Sequence, residues 1–190
     1  MAIGDTRANM FAQRRGRSLI VSRYRPPQPK RSPYITRDGY EHLLAESRAT
    51  WKRRRVVTEA LAAAAAEGDR SENAEYIYRK KELREIDRRI RYLEIRLPGL
   101  KVVDNLPEDT SRVFFGAWVD LEDDNGNETS YRIVGSDELD PVRNWISVDA
   151  PLSRVLIGKG LDDQVTHSAP RGTSTLTVTD IRYEPQRDED

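Results

Sequence analysis

Between positions 67 and 75 the chain reads Glu67-Gly68-Asp69-Arg70-Ser71-Glu72-Asn73-Ala74-Glu75, so that Asp69, Glu72 and Glu75 fall three residues apart. Carboxylates are the hard oxygen ligands that Mg²⁺ accepts, which makes Asp69 and Glu72 candidate metal ligands. Two or three acids without a preformed cage hold Mg²⁺ poorly, so they would act beside a partner that already carries the metal. The same spacing has a plainer reading. Asp69 followed three residues later by Glu72 is a variant capping box, and acids favour helix N-termini through the dipole. Ser71 and Asn73 read first as helix-start residues, although each could also hydrogen-bond water.

The flanking elements decide how such a group would be presented. Thr36 can cap a helix in which Tyr40, Leu44, Ser47, Trp51, Arg54, Thr58 and Leu61 follow steps of four and three, a heptad with three polar seam positions. Leu61 to Ala66 continues as a good helix former, and Gly68 suits its end. A second helix restarts near Ser71 and carries Tyr76, Arg79, Leu83, Ile86, Ile90, Leu93 and Leu97 to a stop at Pro98-Gly99. Two heptad helices joined by so short a turn fold back antiparallel, and some 30 residues of helix make a rod of roughly 45 Å. A rod that long cannot be buried in a chain of 190 residues; it projects, with the acids at its far end.

Beyond the rod the period changes. Val113, Phe115, Ala117, Val119 and Leu121 alternate as a strand, and Asp124-Asn125-Gly126-Asn127 supplies a turn. Tyr131, Ile133, Ile146 to Val148, Val165 and Leu176 to Tyr183 read as further strands, with a short helix over Pro151 to Ile157. The sum is a largely antiparallel sheet with one helix, an α+β domain.

The formal net charge is zero but unevenly placed. Residues 1–33 carry eight Lys/Arg against one Asp/Glu, residues 34–104 sixteen against thirteen, and residues 105–190 eight against eighteen. Such a gradient predicts a basic arm, a mixed middle and an acidic end that meet different surfaces. The arm, with Arg14, Arg15, Arg17, Arg23 and Arg25 among Pro26, Pro27, Pro29 and Pro33, reads as a solvated tail or a salt-sensitive grip on nucleic acid. The chain has no cysteine, which excludes disulfides and thiolate metal sites and fits a reducing cytosol. It shows no apolar run of about 18 residues and no secretory signal, so no membrane association is expected. His42 and His167 stand without companion ligands or bases.

Lys80, Lys81, Arg84, Arg88, Arg89 and Arg91 crowd the second helix. Intrahelical pairs with the acid first, Glu75 to Arg79, Glu85 to Arg89 and Asp87 to Arg91, account for part of this charge. Lys80, Lys81, Arg84 and Arg88 have no such preceding acid and read either as a solvated face or as a nucleic-acid contact. Asp149-Ala150-Pro151 reads as the start of the short helix, Pro being favoured in the first turn.

The segment Gly68 to Tyr76 resembles the tip motif of the Gre transcript-cleavage factors. The stretch Lys80-Lys81-Glu82-Leu83-Arg84-Glu85-Ile86-Asp87-Arg88-Arg89-Ile90-Arg91-Tyr92-Leu93 is similar to the GreB branch in particular. So are Val113-Phe114-Phe115-Gly116-Ala117-Trp118-Val119 and Arg132-Ile133-Val134-Gly135, and the likeness spans about residues 33–185. The resemblance implies an antiparallel α-helical coiled-coil hairpin at 34–104, preceded by the basic arm 1–33. It implies an FKBP-like antiparallel sheet domain with a short helix at 105–185, ahead of an acidic tail at 186–190.

It further implies a cytoplasmic partner of bacterial RNA polymerase that has no small-molecule substrate and no cofactor of its own. The sheet domain would dock at the rim of the polymerase secondary channel, and the hairpin would reach the active centre of a backtracked complex. Asp69 and Glu72 match the family's two tip acids, which help hold the second Mg²⁺ of the polymerase active centre and orient the attacking water. The polymerase, not the factor, then cleaves the nascent RNA near its 3′ end. By the same resemblance Lys80, Lys81, Arg84 and Arg88 would contact extruded RNA, and Asp149 and Pro151 the polymerase rim, although Ala150 replaces the family's serine there. Three rivals stand beside this reading. One is a Gre-like channel binder that modulates the polymerase without promoting cleavage, which would not need both tip acids. Another is a free-standing RNA-binding protein, for which no stacking aromatic motif is visible. The last is a prolyl isomerase, which fold alone does not confer.

Overall fold

The computed structural model describes residues 31–67, 70–169 and 172–183. Residues 1–30 of the basic arm, Gly68 and Asp69 in the turn, and the acidic tail 186–190 lie outside the described residues.

Strand β1 (Tyr34–Thr36) leads directly into helix α1 (Arg37–Ala66). Thr36 caps it as the spacing predicts: its backbone is extended, and its hydroxyl accepts the Gly39 N–H at 3.1 Å. Helix α2 (Ala74–Arg96) ends in a 3₁₀ turn over Leu97–Gly99, where Pro98 cannot continue an α-helix. Strand β2 (Lys101–Val103) then pairs in parallel with β1, a small sheet the sequence reading did not anticipate. The two helices run antiparallel, for as partners climb α1 they descend α2: Glu46 meets Arg89, Arg53 meets Glu82 and Ala64 meets Asn73.

The α2 seam is the expected one, with Ile90 and Leu93 buried and Tyr76, Arg79, Leu83, Ile86 and Leu97 part-buried. The α1 seam is rotated by one residue along half its length. Tyr40, Leu44, Ser47, Arg54 and Leu61 are part-buried as predicted, but Leu43 is buried beside Leu44, Val57 is buried in place of Thr58, and Ala64 extends the row. Trp51 is 47% exposed, and the Arg54 guanidinium lies 5.8 Å from its ring centroid. Both choices keep a heptad. The observed one buries two aliphatic side chains and leaves the wide indole and the Thr58 hydroxyl outside, which avoids a buried polar group in the seam.

The second part is a five-stranded sheet in the order β5-β4-β3-β7-β6. Its strands are β3 (Trp118–Asp123), β4 (Glu128–Val134), β5 (Trp145–Ser147), β6 (Gln164–Ala169) and β7 (Gly172–Arg182). It is antiparallel except at its β4–β5 edge, which is parallel. Helix α3 (Pro151–Leu156) covers one face, packing Leu152 and Leu156 with Val119, Leu121, Ile133, Val165 and Val178. On the opposite face Arg132, 9% exposed, lies with its guanidinium 5.6 Å from the Trp118 ring and 4.8 Å from the Trp145 ring. The strand expected from Val113 begins only at Trp118 because Gly116 adopts φ +88 and breaks the extended backbone. Val113 and Ala117 are buried in the irregular lead instead. Among the described residues no helix is long and apolar enough to cross a membrane.

The hairpin base is fastened to the sheet by acids in the loop after β4. The Asp137 carboxylate, 4% exposed, accepts from Arg96 Nε at 2.7 Å and from the Tyr92 hydroxyl. Glu138 accepts the Thr36 N–H at 3.1 Å, the Gly135 N–H at 2.8 Å and the Thr36 hydroxyl. Gly39, in the first turn of α1, and Gly135 both leave room for this carboxylate, since a Cβ on either would overlap Glu138. A Cβ at Gly135 would also stand 2.5 Å from the Tyr34 carbonyl oxygen. Gly135→Ala is therefore expected to destabilise the protein by about 2 kcal/mol, the cost of overpacking a tight contact, read as a lower urea midpoint.

Candidate functional site

The rod is cross-linked mainly by charge. Arg89 forks onto Glu46 with both bonds at 2.6 Å, Arg54 Nε lies 2.7 Å from Asp87, and Arg53 Nε donates to Glu82 at 2.9 Å. This corrects the intrahelical pairs expected from spacing: Arg89 turns to α1 rather than to Glu85, and Asp87 to Arg54 rather than to Arg91. For Arg89, a fork onto a carboxylate across the seam outcompetes a single exposed pair on the same helix. The Glu75 to Arg79 pair forms as expected at 2.7 Å, and Arg79 also reaches Glu82 at 3.0 Å.

Hydrogen bonding by Arg89 holds the Glu46 carboxyl below its ordinary 4.5. A carboxyl whose folded pKa is depressed contributes fully above its unfolded value, and the contribution is lost as pH falls through the folded value. Glu46→Gln should thus lower stability by about 0.5 kcal/mol near neutral pH, discounted for its partial exposure. The difference from the parent should vanish on acidification well below pH 4.5, as read by circular-dichroism melts across pH.

At the far end α1 stops at Ala66, and α2 begins at Ala74, three residues later than the sequence suggested. The cap is Asn73, not Asp69: its side chain accepts the Tyr76 N–H at 3.0 Å. This frees Glu72 from the capping-box role. Glu72 is exposed and forms no ion pair with a described residue, whereas Glu75 is engaged by Arg79. Asp69 lies outside the described residues. Below the tip, Lys81, Arg84 and Arg88 are exposed without an ion pair to any described residue, and the Lys80 ammonium lies 5.4 Å from the Tyr76 ring centroid. Arg70 approaches the same ring at 5.9 Å.

Far from the tip, Asp149 Oδ2 accepts the Ser32 N–H at 2.7 Å and the Ser136 hydroxyl at 2.6 Å. Burial pushes this carboxyl up, but those two donors together with the nearby charges of Arg154 and Arg96 hold it below its ordinary value. Asp149 thus fastens the segment before β1 to the sheet, while Pro151 is exposed at the start of α3 and Ala150 provides no side-chain cap. The structure does not bring Glu72, the basic residues and Asp149 into one cluster: they are distributed along the rod and at its base. Sequence reasoning missed Asp137, Glu138 and the second bond of Asn73. The Asn73 cap was legible from the restart of the helix, but no local signal marks a carboxylate whose partners lie 41 to 102 residues away.

A family model described as "Transcription elongation factor, N-terminal" matches residues 33–102, and one described as "Transcription elongation factor, GreA/GreB, C-term" matches residues 108–183. The chain is 54% identical over 166 residues to transcription elongation factor GreB of Pseudomonas aeruginosa, covering 87% of this chain and 99% of that one. It is 55% identical over 155 residues to GreB of Haemophilus influenzae, covering 81% and 98%. Among solved structures, GreA factor homolog 1 of Thermus thermophilus aligns over 80% of this chain and 99% of its own at 24% identity, with a TM-score of 0.39. By the two matched segments and these identities, the chain belongs to the GreA/GreB family of transcription elongation factors.

Proposed function

We propose that the chain stimulates the endonucleolytic activity of bacterial RNA polymerase on backtracked nascent RNA, without being a nuclease itself, and that it does so in the cytoplasm. The observation that carries this reading is that Glu72, exposed like Glu75, has no ion pair with a described residue. At the end of a rod of roughly 45 Å, the neighbouring Glu75 is neutralised by Arg79 and Asn73 does the capping, which leaves Glu72 available to a partner. Asp69 is its companion by the motif. Two carboxylates fall short of the near-octahedral set Mg²⁺ demands, so they fit an ion already held by the polymerase. Of the two ions such hydrolysis needs, one would make the attacking water more acidic and the other would stabilise the leaving oxygen. Asp69 and Glu72 contribute oxygen ligands to the weaker ion site and orient that water. The hairpin enters the secondary channel, with Pro151 at the rim contact and Asp149 holding the adjoining loop in shape. Lys80, Lys81, Arg84 and Arg88 lie along α2 where RNA extruded beside the tip would pass.

Asp69→Ala and Glu72→Ala should each abolish stimulated cleavage in stalled, backtracked complexes while leaving polymerase binding intact, and Glu75→Gln should retain most of it. Full cleavage by both alanine variants would refute the tip assignment. A parent protein that binds polymerase yet releases no end-labelled RNA fragment would favour the channel-occupying modulator instead. Replacing Lys81, Arg84 and Arg88 by Gln should leave thermal stability near that of the parent, since none is paired to a described residue. Cleavage should weaken most in deeply backtracked complexes, and an equal loss at short and long backtracking would count against RNA contact.

A further inference from the structure

Asn73, the residue after Glu72, uses its side chain at both ends. Oδ1 accepts the Tyr76 N–H at 3.0 Å, and Nδ2 donates to the Ala64 carbonyl oxygen at 2.9 Å. The two atoms are assigned by chemistry, since a backbone N–H only donates and a carbonyl only accepts. The first bond is an ordinary helix N-cap. The second is not needed for capping. It crosses from the start of α2 to the last turn of α1, nine residues back, and meets a carbonyl near a helix end that already draws the Glu67 N–H at 3.4 Å. Ala64 is itself buried in the seam, 3% exposed.

We propose that Asn73 is a positioning residue for Glu72: its amide staples the start of α2 to the end of α1 and thereby fixes where the Glu72 carboxylate stands. Glu72 has no ion pair with a described residue, so its position depends on its backbone, and its neighbour's bond to α1 anchors that backbone on the α2 side. Only a side chain with both a donor and an acceptor at this reach does both jobs. Serine keeps the cap but is too short for the staple, and aspartate would turn an oxygen toward the Ala64 carbonyl. This inference rests on the reading of Glu72 as a carboxylate that serves the polymerase metal.

The test is Asn73→Ser in the full chain, assayed on stalled, backtracked complexes across factor and Mg²⁺ concentrations, with Glu72→Gln in parallel. The half-saturating factor concentration should not move, because docking is untouched. The maximal cleavage rate should fall roughly tenfold, the scale of a sub-ångström to ångström misplacement, and half-maximal stimulation should require more Mg²⁺. A merely structural role would move neither the Mg²⁺ dependence nor the rate at saturation. If Glu72→Gln is inactive while Asn73→Ser matches the parent in rate and Mg²⁺ dependence, positioning by Asn73 is overturned and the tip reading stands. If Glu72→Gln cleaves like the parent, the tip reading fails and takes this inference with it. Backbone ¹⁵N relaxation without polymerase guards against unfolding. Lower order at Glu72 confined to the turn supports the staple, and loss of order along all of α2 overturns it.

Discussion

The carboxylate of Asp137, almost fully withdrawn from water between Arg96 and Tyr92, is the contact on which the geometry of the rest depends. A rod of roughly 45 Å is a lever, and a tilt of about 5° at its base displaces its tip by about 4 Å. A site at the end of such a lever is only as well placed as its root. Three acids from the sheet side share that task. Asp137 holds the last turn of α2, Glu138 holds the cap of α1, and Asp149 holds the segment before β1. Each is satisfied by several donors, as burial of a carboxylate requires. The glycines at 39 and 135 have their explanation here, in a close approach to Glu138 rather than in helix or strand propensity.

Along the rod the stabilising interactions change character. The buried apolar side chains of the two helices are few and widely spaced: Leu43, Val57, Ala64, Ile90 and Leu93. Between them the helices are joined by arginine–carboxylate pairs that each contribute about 0 to 1 kcal/mol. A seam of this kind is thin and polar, consistent with an element that must stand in water when the protein is alone. The pairing also sorts the charges. Arginines consumed by the seam differ in role from Lys81, Arg84 and Arg88, which face outward on the same helix without a partner among the described residues. The same sorting operates on the acids of the turn, where one is neutralised and another is left available.

Family membership and physical reading meet at that turn. The motif alone names the acids, but three acids at a helix start are equally what a capped helix would carry. The choice between those meanings is made by which residue caps. With Asn73 in that role, the carboxylate at 72 neither caps the helix nor pairs with a described residue, which supports the role proposed for it.

The sequence by itself determined the helical and strand periods, the Thr36 cap, the stop at Pro98-Gly99, the turn at Asp124 to Asn127 and the family motif of the tip. Each of these is set by residues within a few positions of one another, so local propensity and spacing suffice. Only the tertiary structure decided that α1 buries Leu43 more deeply than Leu44 and Val57 rather than Thr58, because two heptad faces one residue apart are distinguished only by the partner helix. It alone decided that Arg89 and Asp87 find partners on α1, that Asn73 reaches back to Ala64, and that Asp137, Glu138 and Asp149 grip the rod. Those bonds join residues brought together by the fold, and a carboxylate's sequence neighbours hold no information about which distant donor will displace its water.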